Sequence, residues 1–297
     1  MTLFRGFSAF PITPSDSSGA VDETALCGIL EKLAITGVDS VGLLGSTGTY
    51  VYLTRAERRR AVDIAVKVMS GSIPLMVGVG ALRTDDAIAL TRDAQNAGAD
   101  AILLAPVSYI PLTQEEVYQH FLSVSAATDL PVCIYNNPTA THFIFSDDLL
   151  ARLAQVPNIC AVKMPSPEKA EVPAELDRLR PLMPDDFKIG YSWDRRSADA
   201  VASGGDAWYS GMGGVLPEQT LKLCRAAQAR DYAEVERINS VFEPLWDLCT
   251  SLGTVRVIYA VANLNGLYPG QPPLPISSLS IDERDRVMQA VSRLSAV

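Results

Sequence analysis

With 297 residues, 48% of them hydrophobic, the chain can bury a large core, and a formal charge of −9 disfavours nucleic acid and other polyanionic partners. Five scattered cysteines, odd in number and without a C-x-x-C pair, fit a reducing cytoplasmic compartment better than a disulfide framework. No stretch approaches eighteen uninterrupted apolar residues and the N-terminus lacks a secretory pattern, so neither a membrane span nor a leader is expected.

Eight short apolar runs, taken in chain order, read as strands. "GFSAFPI" (6–12) comes first, and "SVGLLG" (40–45) runs into the glycine-flanked turn "GSTGTY" with Ser46, Thr47 and Gly48. Helical periodicity follows in "TRAERRRAVDIAVKVMS", whose basic run Arg55–Arg60 reads as a solvated helix face. The third strand, "PLMVGVG" (74–80), leads into "GVGALR", where Arg83 replaces the third glycine of a dinucleotide fingerprint. Beyond the helical "TDDAIALTRDAQNAGA" come the fourth strand, "DAILLAP", and "PVSY" with Tyr109. "TQEEVYQHFLSVSAATD" places His120 mid-helix, and the fifth strand, "PVCIYNN", ends at Tyr135. His142, in "TATHF", reads as a structural or rim residue, ahead of the helical "SDDLLARLAQVPN". "ICAVKM" then brings Lys163, "FKIGYS" brings Gly190 and "AWYSGM" brings Tyr209. Several helical stretches open on Thr, Ser or Asp followed by acids, which suits free N–H groups of a first turn.

Strands with little alternation are what a parallel sheet buried on both faces presents. Eight strand–helix units match a (β/α)₈ TIM barrel of the α/β class over 1–216, with a C-terminal helical extension, 217–297, packed on it. A doubly wound open sheet is the alternative. In a barrel the polar residues ending the strands gather at one mouth, which predicts that Ser46, Thr47, Tyr109, Tyr135 and Lys163 face it together.

Lys163 stands out because no acidic residue adjoins it and the run around it is apolar. Such a lysine either pairs with a carboxylate or snorkels at the strand end, or it is a nucleophile. Burial disfavours an ammonium and leaves more free amine to attack a carbonyl. A buried tyrosine alone is a core residue with a bonded hydroxyl; beside an amine nucleophile, Tyr135 can move protons on and off a carbinolamine. Ser46 and Thr47 form either an ordinary turn or a small nest for a carboxylate. The two histidines lack metal-ligand spacing, and neither a P-loop nor a G-x-S-x-G elbow is present, so no metal and no cofactor are expected.

Together, "GSTGTY", "YNNP" and "AVKMP" resemble the three signatures of the N-acetylneuraminate lyase / dihydrodipicolinate synthase family of class I aldolases. The resemblance runs from about Phe4 to the end. It implies a (β/α)₈ barrel, a Schiff base between Lys163 and pyruvate or another 2-oxo acid, and a homotetramer. By position it implies that Tyr135 shuttles protons and meets the substrate carboxylate, that Ser46 relays beside it, and that Thr47 binds the carboxylate. Gly48, Gly190 and Tyr209 then border the substrate, and Tyr109 resembles a tyrosine that completes the relay from a neighbouring subunit.

Several residues depart from the family pattern. "PVSYIPLT" is one residue longer than the usual "PYYNRPS", Thr49 replaces a glutamate, and Ala140 replaces the arginine that synthases use for their aldehyde's carboxylate. The loops "GYSWDRR" and "WYSGMGG" resemble neither namesake enzyme, and Tyr209 is placed to crowd the 2-oxo acid. The expected function is a lyase that makes or breaks a C–C bond beside a lysine imine, or dehydrates a 2-oxo-3-deoxy sugar acid. Its partners would be pyruvate and an aldehyde or sugar acid. The rivals are a dihydrodipicolinate synthase proper, a non-catalytic 2-oxo acid-binding protein, and a phosphate-sugar barrel whose "YSGMGGV" nest lacks a basic residue.

Overall fold

The computed structural model describes residues 3–69 and 71–297. Its strands are β1 (Gly6–Ala9), β2 (Ser40–Leu43), β3 (Leu75–Gly78), β4 (Ala101–Leu104), β5 (Val132–Tyr135), β6 (Ile159–Pro165), β7 (Lys188–Ser192) and β8 (Ala207–Ser210). All pair in parallel with their sequence neighbours, and β8 returns to β1, so the sheet is a closed barrel. Each strand precedes a helix of the outer ring: α1 (Glu23–Thr36), α2 (Arg55–Met69), α3 (Thr84–Ala97), α4 (Gln114–Ser125), α5 (Asp147–Ala154), α6 (Val172–Leu179), α7 (Asp194–Ala202) and α8 (Pro217–Gln228).

Local chemistry sets the ends of several ring helices. Asp22 accepts from the Ala25 N–H, Ser146 accepts from Leu149, and Thr113 forms a reciprocal capping box with Glu116. Gly37 (φ 83°) and Gly98 (φ 101°) close α1 and α3 in the left-handed region, where a Cβ is strained.

Two apolar zones result. The larger lies between strands and helices; the smaller fills the barrel with Phe10, Met76, Leu103, Cys133, Tyr135, Ala161 and Tyr209. One irregularity decides what enters the inner zone. Val132 pairs with Ile159 and both face the outer layer, but Cys133 pairs with Ala161 and both face inward. The extra residue, Cys160, shifts the phase of β6 by one, so Lys163 stands opposite Tyr135 on the inner face.

The helix Pro217–Gln228, counted with the extension above, packs on α7, α1 and β1 and completes the ring. We therefore propose that the barrel ends near Arg230. Beyond it, α9 (Tyr232–Leu248) passes through a π-turn (Cys249–Gly253) into α10 (Thr254–Leu264), and α11 (Ile281–Arg293) follows. The 232–264 run is long and apolar enough to cross a membrane by length and composition, with half of its most apolar window buried in the protein. Its apolar side serves packing: α9 lies on α7, α8 and α11, and Phe242 stacks on Trp246 at 4.7 Å.

Candidate active site

The turn after β2 folds back on itself because the Thr49 N–H donates to the Ser46 carbonyl, with Leu44 (φ 56°) and Thr49 (φ 50°) in the left-handed region. Gly48 is required there: a Cβ would sit 2.9 Å from the Thr13 hydroxyl and 3.2 Å from the Leu44 Cα. The turn brings the Ser46 hydroxyl to the end of β5, where the Tyr135 hydroxyl donates to it at 3.2 Å. Asn137 donates to the Tyr135 oxygen at 3.0 Å and to Ser46 at 3.4 Å. The sequence reading leaves Asn137 out. Its position two residues past Tyr135, at the end of a strand, was the available signal.

Lys163 is 4% exposed and makes no ion pair with any described residue. Aromatic rings surround its Nζ instead, with centroids at 3.7 Å for Phe10, 4.3 Å for Tyr135 and 5.8 Å for Tyr209. Lys163 pairs in register with Tyr135 on one side and Gly190 on the other. It opens onto a cavity of about 530 Å³ shared with Ser46, Thr47, Tyr135, Asn137 and Tyr209. Gly211 leaves Thr47 room, since a Cβ there would lie 2.8 Å from its hydroxyl.

The far wall comes from the β7 loop and the extension. Asp194 accepts from the Trp208 indole at 2.9 Å and the Met212 N–H at 2.8 Å. Burial pushes its carboxyl up, against these hydrogen bonds and the charge of Lys163. Trp193 is 44% exposed with φ 76°. Arg195 pairs with Glu243 and Asp247 of α9, and Arg196 pairs with Glu168. Cys249 and Thr250, in the π-turn, complete the rim.

Tyr109 does not join this group. It is 93% exposed and lines neither the Lys163 cavity nor its neighbour, because the loop after β4 carries it outward past Pro106. The expectation that all five residues face one mouth of a single chain is corrected for Tyr109. His142 is also exposed and outside both cavities, while His120 shares a hydrogen bond with Thr84 at 2.9 Å on α4. Among the described residues no cluster of metal-ligating side chains forms.

The basic run needs a second correction. Arg55, Arg59 and Arg60 are solvated and paired with Asp93, Asp63 and Glu23, but Arg58 is 6% exposed. It donates to the carbonyls of Gly80 at 3.1 Å and Gly78 at 3.0 Å and lies over the Tyr50 ring. Burial pushes its guanidinium down to about 10, so it stays charged near neutrality. Arg58 borders a second cavity of about 640 Å³ that includes Ala140 and meets the first at Ser46, Tyr135 and Asn137.

A family model described as the dihydrodipicolinate synthetase family matches residues 3–294. A 4-hydroxy-tetrahydrodipicolinate synthase of Methylococcus capsulatus is 34% identical, over 97% of this chain and 98% of the relative. One of Nitrosomonas europaea is 33% identical over 97% and 98%. Among solved structures, a dihydrodipicolinate synthase of Agrobacterium tumefaciens matches with a TM-score of 0.96 at 55% identity, covering 98% of both chains. A chloride-inhibited dihydrodipicolinate synthase of Acinetobacter baumannii, complexed with pyruvate, matches at 0.88 and 28% identity over 99% of this chain and 100% of that one.

Proposed function

The chain belongs to the dihydrodipicolinate synthetase family of Schiff-base lyases, and from that premise we propose that Lys163 condenses with pyruvate to make or break an adjacent C–C bond. The observation that carries the reading is a buried lysine without a carboxylate partner, facing a cavity beside a hydrogen-bonded tyrosine. The pyruvate complex of the Acinetobacter baumannii relative supports the choice of 2-oxo acid.

In this reading the free amine of Lys163 attacks the ketone carbon, and the carbinolamine oxygen leaves as water after protonation. Tyr135 supplies and recovers the protons through Ser46, with Asn137 fixing the phenol's direction. The protonated imine acidifies C3, and loss of that proton gives an enamine. The enamine carbon adds to an aldehyde carbonyl, whose oxygen takes up a proton; hydrolysis then frees the lysine. Run backwards, the same steps cleave. Thr47, Gly48 and the turn's N–H groups receive the substrate carboxylate, while Gly190 and Tyr209 border the reacting atoms.

For the second substrate we favour an aldehyde without a carboxylate next to position 140, or a 2-oxo-3-deoxy sugar acid that is dehydrated. Ala140 offers no cation, and a lost guanidinium contact removes about 1.5–3 kcal/mol of binding. Arg195 and Arg196 border the lysine cavity but are held by Glu243, Asp247 and Glu168. The second reading, a synthase using aspartate semialdehyde, is favoured by the names of the relatives and leaves Arg58, which has no carboxylate partner but is bonded to the Gly78 and Gly80 carbonyls, as the cation bordering the Ala140 cavity. Turnover of pyruvate with a panel of aldehydes and keto-deoxy acids, in both directions, separates the two.

The test of the central claim is borohydride trapping. Wild-type protein with pyruvate should gain the mass of one reduced adduct; an adduct of equal yield on Lys163→Ala would overturn it. We also place the protein in the cytoplasm as a homotetramer. Leu82, Tyr109, Ile110 and Ile144 are exposed on the loops after β3, β4 and β5, an apolar set that a second copy would cover. Such docking would also give Tyr109 a route to a partner's site. Sedimentation of wild type against Tyr109→Lys tests it, with dissociation expected.

A further inference from the structure

Asn137 departs from the role its position offers. It is the N-cap of the short helical turn Pro138–Thr141, where an asparagine ordinarily accepts from the turn's N–H groups, yet its side chain makes no cap bond. The amide turns to the barrel mouth instead. It donates to the Tyr135 oxygen at 3.0 Å and, at 3.4 Å, to Ser46 Oγ, which also accepts from the Tyr135 hydroxyl at 3.2 Å. Thr139 Oγ1 donates to Asn137 Oδ1 at 2.9 Å and so holds the amide in that orientation. Tyr135, Ser46 and Asn137 thus form a closed triangle, anchored at Thr139 on the wall of the Lys163 cavity.

Hydrogen-bond capacity decides what the triangle passes on. A serine hydroxyl has two acceptor positions and one proton to give. Both acceptor positions of Ser46 are filled from within the chain, so only its own O–H is left to give. A tyrosine arriving from a second copy, the place Tyr109 would take, finds no position on Ser46 through which to donate. The chemistry does not call for one either. Tyr135 gives a proton to Ser46 as Ser46 gives its own to the carbinolamine oxygen; water departs, and a phenolate remains beside the protonated imine. One C3 proton is then lost to form the enamine, and it returns through Ser46 to Tyr135. The proton count closes.

We propose that Asn137, anchored by Thr139, completes the proton relay inside a single chain, so that no residue of a neighbouring copy takes part in it. The inference rests on Lys163 forming the imine with pyruvate. Asn137 and Thr139 move no proton themselves and act as positioning residues for Tyr135 and Ser46. Contact between copies at Tyr109 then serves assembly alone.

The experiment uses pyruvate alone, followed by borohydride trapping (intact mass) and by exchange of its methyl protons in heavy water (NMR). It compares wild type with Tyr109→Phe, Asn137→Leu, Thr139→Val, Thr139→Ser and the double variant Asn137→Leu with Thr139→Val. Tyr109→Phe should exchange at the wild-type rate. Asn137→Leu should lower kcat for exchange about tenfold with KM for pyruvate unchanged, the scale of one good hydrogen bond. Thr139→Val should lose less, and Thr139→Ser should keep the wild-type rate. The double variant should be no slower than Asn137→Leu, because Thr139 acts only through the amide. A loss in Tyr109→Phe as large as that in Asn137→Leu, or the wild-type rate in either Asn137→Leu or Thr139→Val, overturns the proposal, while the trapped adduct still marks Lys163 as the nucleophile. A wild type that neither traps nor exchanges pyruvate overturns both. If Asn137→Leu does not fold, a Tyr109→Phe loss beyond that of Thr139→Val, or a Thr139→Val rate equal to wild type, is the overturning result.

Discussion

Two cavities meet at Tyr135 and Ser46, and each holds a buried cationic residue that makes no ion pair with a described carboxylate. Lys163 lies among aromatic rings, its amine without a hydrogen-bond partner among the described residues, on a strand inside the barrel. Arg58 lies on α2 and gives two of its N–H groups to the carbonyls that end β3. The difference is chemical. A guanidinium stays protonated and needs fixed acceptors, which suits it to hold a loop; an amine left without acceptors remains available to a carbonyl carbon. Burial is thus answered by backbone acceptors on one side of Tyr135 and by aromatic rings on the other.

Replacing Lys163 tests that contrast most severely. Lys163→Ala should lose the reduced pyruvate adduct altogether, read by intact mass. Tyr135 is the wall the two cavities share, and Tyr135→Phe should lower kcat by roughly 10²–10⁴-fold, the usual worth of a general acid–base group. Steady-state assay of the identified reaction checks it, and a loss confined to KM would count against proton transfer. Arg58→Met should instead act on the fold. Leaving the Gly78 and Gly80 carbonyls without their donor costs about 1–3 kcal/mol, seen as a lower urea midpoint, while the adduct still forms. Since burial places the folded guanidinium below the unfolded one, its share of stability is flat across neutral pH and rises with pH only above about 10.

Asp194 gives a smaller, pH-dependent effect on the lysine side. Its folded pKa is raised above the ordinary 3.8, chiefly by burial. Between that value and the raised one, the unfolded chain has lost a proton that the folded chain keeps, so stability falls as pH rises through the interval. Urea midpoints of wild type relative to Asp194→Asn should therefore decline from about pH 4 upward and then level off. The opposite slope would mean that its hydrogen bonds, and not burial, set the shift. Smallest of all, Asp63→Asn breaks the half-exposed pair with Arg59 and should cost about 0.3–0.5 kcal/mol, measurable at low salt. Arg58 and Arg59 are adjacent in sequence, yet their predicted effects differ several-fold because α2 turns one toward β3 and the other to water.

That neighbouring pair marks how far the chain can be read without coordinates. Seven of the eight strand candidates contain an observed strand and β6 runs one residue past the remaining one, since short apolar runs between helical stretches leave few alternatives. Helix starts at Ser146 and Thr113 were equally legible, because the cap is a local hydrogen bond. Arg58 was not, since a run of four arginines in six residues gives no sign of which one the helix phase buries. Asn137 carries no local signal beyond its place two residues past Tyr135, and the strand-end rule puts Tyr109 at the mouth although its loop carries it outward.

The amino-acid order alone determined the eight strand–helix units, the strand ends that carry the polar residues, and a lysine within an apolar run, because each is read from residues a few positions apart. The closure of β8 on β1 and the lack of a carboxylate beside Lys163 are tertiary facts. Tertiary structure decided which way that lysine points. Side chains in a strand alternate with a period of two, so the single extra residue at Cys160 is what turns Lys163 inward to face Tyr135. The register between β5 and β6 is a property of two strands packed into one barrel, and neither strand specifies it alone.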